Sequence, residues 1–167
     1  QEWSHGGIFG TFDRASLQRG FQVYKEVCST CHAMNFVAYR NLEALGFSED
    51  EVKAIAAQYT VMGGPNDAGE MVERPAIPAD HFKAPFPNEQ AARAANGGAY
   101  PPDLSLMAKA RAGFHGPYGT GINQLLNGIG GPEYIHAILT GYTGEEVEQA
   151  GTVLYQNTAF PSGYIAM

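Results

Sequence analysis

The sequence predicts a mostly α fold, with short helices joined by long loops, and three observations carry that expectation. Apolar residues recur at helical spacing in several short stretches. Gly and Pro number 21 and 10 of the 167 residues, so much of the chain is turn and loop. Little in the pattern argues for a sheet. At this length one domain, residues 1–167, can bury roughly two-thirds of its unfolded surface, and an apolar content of 44% excludes general disorder. No internal repeat or domain linker is evident.

The first helix is expected after Asp13, a candidate N-cap, with Leu17, Phe21, Tyr24, Val27 and Cys28 on one face. The second is marked by a capping box, Ser48 and Glu51, with Phe47 and Val52 at the staple positions. Val52, Ile55, Ala56 and Tyr59 continue its apolar side. Residues 62–102 read as mostly irregular, with prolines at 75, 78, 85, 87, 101 and 102. A short helix after Pro101-Pro102-Asp103 would bury Leu104 and Met107, capped by Asp103. The glycine-rich stretch 113–131 holds at most a short helical piece. Pro132 suits a first helical position, Tyr134, Ile135, Ile138 and Leu139 form an apolar patch, and Gly141 permits a stop.

A formal charge of −7 disfavours nucleic acid as a partner and permits steering of a basic protein. No run of 18 apolar residues is present, so nothing here is expected to span a membrane, and the chain alone is expected to be soluble. The start at Gln1 lacks the pattern of a secretory signal and reads as a mature chain.

The chemistry concentrates in Cys28-Ser-Thr-Cys31-His32. Two cysteines at this spacing can form thioethers to a haem's vinyl groups, and the adjacent histidine can reach the iron from one face. The spacing therefore implies one covalently attached c-type haem, and a c-type cytochrome fold whose long loops wrap it. A disulfide closing so short a loop would remove little entropy. Structural zinc would need four ligands, and no second cysteine pair exists. A thioredoxin-like dithiol would follow a strand in an alternating strand and helix pattern.

The opposite face of the iron has several candidates. They are His5, His81, His115 and His136, and Met34, Met62, Met71, Met107 and Met167. Met34 lies too near the attachment site to cross the haem plane easily, Met107 has the spacing of core packing, and His136 that of a surface or capping residue. Met167, after the turn-rich FPSG segment, would bring a soft thioether that raises the potential relative to two histidines. Its terminal position is awkward, and methionine is commonly core filler.

Beyond these motifs the chain resembles the cytochrome c1 family, the haem subunit of the cytochrome bc1 complex. The resemblance runs through RGFQVYKEVCSTCH (19–32), FVAYRNL (36–42), MVERP (71–75), PFPNEQAARAANGGAYPPDLSLMAKAR (85–111), LTGY (139–142) and FPSGYIAM (160–167). It implies His32 as proximal and Met167 as distal iron ligand, Arg111 at a haem propionate, Pro102 as pocket wall, and Tyr39 and Arg40 near the haem. Read without it, Tyr39 and Arg40 are packing and surface residues and Arg111 a solvated helix charge.

The resemblance also implies electron transfer from a Rieske iron–sulfur protein to a soluble cytochrome c, beside cytochrome b. Catalysis would belong to the complex, with no independent substrate chemistry in this chain. Glu49, Asp50, Glu51, Asp67, Glu70 and Glu73 could attract a basic carrier. The 113–131 stretch looks like an insertion of bacterial members, which implies the periplasmic face of a bacterial inner membrane. The family's continuation after the methionine, ending in a C-terminal membrane anchor, is absent from this sequence. Two functions of other classes compete. One is a peroxidase-type haem enzyme using His81, Tyr100 or His115, and the other a gas sensor from which Met167 dissociates.

Overall fold

The computed structural model describes residues 3–111 and 130–167. The chain divides into two compact units, each taken by itself below. One comprises Arg14–Pro87 with Pro102–Ser105, the other Gln1–Asp13, Asn88–Pro101 and Leu106–Met167. Residues 112–129 of the glycine-rich stretch, with the helical piece and insertion expected there, lie outside the described residues.

The first unit begins with α1 (Arg14–Glu26), which runs into a 3-10 turn at Cys28–Thr30. A second 3-10 segment, Tyr39–Leu45, ends at Gly46, whose φ of 95° is a left-handed conformation that favours glycine. Next comes α2 (Glu49–Ala56), started by the expected capping box. Ser48 Oγ accepts from Glu51 N–H, and Glu51 Oε2 accepts from Ser48 N–H at 2.7 Å. The core gathers Tyr39, Leu42, Val52, Ala56, Ala76 and Phe82, against which Phe21 and Tyr24 of α1 pack. Phe82 is its centre, with ring centroids 4.8 Å from Tyr39 and 5.9 Å from Tyr24. Burying each such side chain contributes about 2–3 kcal/mol. Val27, expected on the same buried face, is instead exposed.

The expectation of a mostly α chain is corrected by the strands. In the first unit β1 (Thr60–Pro65) pairs antiparallel with β2 (Met71–Pro75), through an irregularity between Met62 and Pro65. From β2, Arg74 grips Asp80 with two bonds of 2.6 and 2.8 Å. The Arg74 hydrogen bonds, joined by Ile77 N–H, hold the Asp80 carboxyl down to about 2.

The second unit contains α3 (Glu89–Ala95), α4 (Met107–Ala110) and α5 (Gly131–Thr140), followed by a sheet in the order β3 (Tyr142–Gln149), β4 (Thr152–Asn157), β5 (Tyr164–Ile165). Sequence reading passed over α3. Its Asn88 side chain accepts from Ala91 N–H at 2.9 Å, an N-cap within a proline-rich stretch. Gly131 opens α5 where a Cβ would strike the Ala108 carbonyl. Gly141 does end α5, although its φ of −88° is not left-handed. Glycine is needed there for close approach, because a Cβ would meet Ala137 O at 2.6 Å and Asn157 Oδ1 at 2.9 Å.

Asn157 is fully buried and ties this unit together. Its Nδ2 donates to Ile138 O at 2.7 Å, its Oδ1 accepts from Ala159 N–H at 3.0 Å, and its N–H donates to Gly163 O at 2.8 Å. Helix, sheet and the turn into β5 thus meet on one residue, through its side chain and its main-chain N–H. No helix among the described residues is long and apolar enough to cross a membrane.

Candidate functional site

The cysteine–histidine segment is built from the end of α1. Cys28 O accepts from Cys31 N–H at 3.2 Å and from His32 N–H at 2.8 Å, winding the five residues into a closed turn. The two intervening hydroxyls fold back on the helix. Ser29 Oγ donates to Lys25 O and Thr30 Oγ1 to Val27 O, both at 2.7 Å, satisfying carbonyls the helix end leaves open. Tyr24 Oη donates to His32 O at 3.3 Å. Burial first, then the neighbouring Tyr59 and Asp103, push the Tyr24 hydroxyl well above its ordinary range, so it acts as a neutral donor.

Both cysteines are free and half-buried. Burial pushes the Cys28 thiol up, against the lowering effect of its own backbone. A thiol so placed is a poor thiolate, which disfavours dithiol exchange. His32 Nδ1 lies 2.8 Å from Pro102 O, and a backbone carbonyl can only accept, so this nitrogen carries the proton. The other ring nitrogen, Nε2, is then the basic one. A backbone carbonyl on the far nitrogen is the usual support of a metal-bound imidazole.

The segment supplying that carbonyl is clamped to the turn. Leu104 N–H donates to Ala33 O and Asn35 N–H to Asp103 Oδ2, both at 2.8 Å, and Phe36 N–H donates to Ser105 Oγ at 3.1 Å. Asp103 Oδ1 accepts from Ser105 N–H at 2.7 Å. Desolvation alone would raise the Asp103 carboxyl; the bonds from Ser105 and Asn35 outweigh it and hold the group low. Asp103 therefore does not cap the following helix as expected. The N-cap of α4 is Leu106, which makes no side-chain cap bond.

Two thiols, a tautomer-fixed imidazole and the exposed apolar neighbours Val27 and Phe36, 63% and 71% accessible, suit a large apolar macrocycle with a metal centre. These residues fit a c-type haem.

Of the other expected site residues, Tyr39 and Arg40 share this unit. Tyr39 is inside the core, its ring 5.4 Å from Tyr59, and it lines a small cleft with Ser29 and Phe82. Burial pushes its hydroxyl up to about 12, against the lowering effect of the Lys83 backbone. Arg40 is exposed, its N–H donating to Pro78 O at 2.8 Å. In the second unit, Arg111 is exposed with its guanidinium 5.6 Å from the Tyr134 ring centroid. Met167 lies two residues past β5, partly exposed beside Tyr142 and Tyr155, and Tyr142 Oη donates to its carbonyl at 2.9 Å.

The remaining ligand candidates take other places. Met34 packs on the core, and His81 Nδ1 is 2.7 Å from Asn35 O. His5 stacks on Phe12 at 5.0 Å, and His136 meets Trp3 edge-on at 5.7 Å. Met62 and Met71 are exposed on the β1–β2 hairpin, and Met107 is half-buried in α4. Tyr100 lies under Arg93, and His115 is outside the described residues. Sequence reasoning missed the binding roles of Asp103, Ser105, Tyr142 and Asn157. An Asp-x-Ser turn after two prolines was the available signal for the first pair.

Comparison with known proteins gives the same direction. Residues 3–167 match the family model described as the Cytochrome C1 family. The chain is 54% identical over 145 residues to cytochrome c1 of Rhodospirillum rubrum, covering 87% of this chain and 47% of that protein. It is 48% identical over 178 residues to cytochrome b/c1 of Bradyrhizobium diazoefficiens, 99% of this chain and 25% of that protein. A mitochondrial relative of Arabidopsis thaliana, "Cytochrome c1 1, heme protein", is 45% identical over 169 residues, 99% and 48% respectively. The chain thus spans half the length of these relatives or less.

Proposed function

On the premise that this chain belongs to the cytochrome c1 family, we propose that it carries one c-type haem and works as the electron-carrying subunit of a bc1 complex. Proteins of this family are haem-binding c-type cytochromes. A bound haem would supply a one-electron couple, through which this chain would pass electrons from a Rieske iron–sulfur protein to a soluble cytochrome c. The relatives' names support the complex: one is a cytochrome b/c1, another a catalytic subunit of the cytochrome b-c1 complex. Similarity to bacterial cytochrome c1 proteins is consistent with a place beside cytochrome b at the periplasmic face of an inner membrane.

The chain's own residues divide the work. Cys28 and Cys31 would add their S–H bonds across the two vinyl groups, giving two thioethers and no leaving group. The closed turn sets the sulfurs and imidazole before any group arrives, so little ordering entropy remains to be lost on attachment. His32 holds its proton on Nδ1 and offers Nε2 to the iron. Met167 would supply the second ligand, on a segment fixed by β5 and by the Tyr142 hydroxyl. Arg111 would meet a propionate, and Tyr39 and Arg40 would act near the attachment turn, Tyr39 by packing behind it. Pro102 serves through its carbonyl as well as its ring. Of the acidic residues, Glu49 and Asp50 already face Lys53 at 2.8 and 3.5 Å, which leaves Asp67, Glu70 and Glu73 as freer contributors to an attractive field.

The observation that carries the reading is the His32 Nδ1 contact with Pro102 O, which turns a common five-residue motif into a prepared ligand. Absorption spectra and intact mass of the full-length protein test it. We expect haem to stay attached on denaturation, and the ferric long-wavelength band of methionine ligation to vanish in Met167→Ala. Haem that separates freely from the polypeptide would end the proposal; an unchanged band in Met167→Ala would remove Met167 from it.

A further inference from the structure

We propose that Asp103 is a positioning residue for His32: it fixes the Pro102 carbonyl against the imidazole and so helps set the haem's reduction potential. This rests on His32 being the iron ligand, as proposed above.

The direction of the Pro102 carbonyl depends on one backbone rotation, ψ of Pro102, because its φ is locked by the ring. That rotation is determined by where the next residue, Asp103, is held. Its carboxylate reaches in two directions. Oδ2 takes Asn35 N–H from the loop just past His32, and Oδ1 takes Ser105 N–H, closing a turn on its own segment. Ser105 then takes Phe36 N–H, and Leu104 N–H reaches Ala33 O. Thus two stretches about 70 residues apart, 32–36 and 102–105, are joined by four contacts. Asp103 is the one side chain that binds both stretches through its two oxygens. Shortening, lengthening or neutralising it loosens the carbonyl that faces His32.

The consequence for the haem follows from hydrogen-bond chemistry. A firm Nδ1–H···O=C contact gives the imidazole more anionic character and makes it a stronger donor. A stronger donor stabilises the oxidised metal and lowers the potential. Loosening the clamp should therefore raise it. A carboxylate's negative charge acts in the same direction, so the two effects have to be separated.

Equilibrium redox titration of the haem-loaded, full-length protein in its complex separates them. Asp103→Glu keeps the charge but cannot close the same turn, while Asp103→Asn removes the charge and one acceptor oxygen. We expect both potentials to shift upward, the Asn variant further. An upward shift in the Asn variant alone would overturn the inference, since only charge would then be acting. So would wild-type potentials in both. Ser105→Ala provides an independent arm should neither Asp103 variant assemble. It keeps the carboxylate, removes the acceptor for Phe36 N–H, and should give a smaller upward shift that Ser105→Thr reverses. An Ala variant that titrates with the wild type would overturn the inference. Absence of covalent haem from the wild type is a different outcome, because it overturns the proposed function on which this one stands.

Discussion

The two units hold their key residues by different means. In the unit of Arg14–Pro87, the cysteine–histidine turn stands on an apolar foundation of Tyr39, Leu42, Val52, Ala56 and Phe82. Among the described residues of the other unit, only Ala92, Gly131, Ile138 and Asn157 are buried, and the largest fully buried side chain among these is the amide Asn157. The segment leading to Met167 is therefore fixed by a polar node. Apolar burial is graded and tolerates small shifts, whereas a buried hydrogen-bond node loses much of its value when one partner goes. His32 is mounted on packing, Met167 on directional bonds.

Substitutions on each side should expose that difference. Phe82→Ala removes the ring shared by Phe21, Tyr24 and Tyr39 and should cost about 3–5 kcal/mol in denaturant unfolding. A cost under about 1 kcal/mol would mean that this unit does not rest on its aromatic core. Asn157→Ala leaves Ile138 O and Ala159 N–H without their partners and should cost about 2–3 kcal/mol. Amide exchange should quicken at Gly163 and in β5; unchanged exchange there would break the comparison. Tyr142→Phe deletes a single bond to the Met167 carbonyl, worth about 1 kcal/mol. Its expected mark is a methionine band lost at a lower temperature on heating, with overall unfolding little altered.

The smallest effect is acid sensitivity of the first unit through Asp80. Its folded-state value, about 2, lies below the ordinary 3.8. The stabilisation is therefore present above the ordinary value and is lost as pH falls through about 2. Because Arg74 is partly exposed, solvent screens the pair and its contribution is small. Urea midpoints taken through that window should fall, and Arg74→Met should flatten this part of the dependence.

Parts of this arrangement were legible in the sequence for definite physical reasons. The cysteine–histidine spacing is local chemistry, and the α2 capping box is local hydrogen bonding, so both read directly from adjacent residues. The strands did not. β3 is exposed along its whole length and so lacks the alternation that one buried face imposes, while in β1 the half-buried positions are only Val61 and Gly63, too few to read as a strand. Both pairings also contain register irregularities, and β1 carries Gly63, Gly64 and Pro65, residues that read as turn. Tyr39 illustrates a different limit. Its ring packs in the core, as the residue by itself reads, and a place near the haem is what the resemblance alone implies. The Asp103 clamp was hidden because its partners lie about 70 positions away, and nothing at Asn35 or Phe36 announces an incoming carboxylate or hydroxyl.

The Pro102 contact also bears on how this site can change over generations. The acceptor is a main-chain oxygen, so no codon change at position 102 deletes it. What mutation can alter is the path of the chain that delivers it, through the residues that pin 102–105 to 33–36. Heritable variation in the imidazole's environment would then come from neighbours such as Asp103 and Ser105 more than from the contact residue. A reader of genomes who scores only the side chains touching the imidazole would look in the wrong place for it.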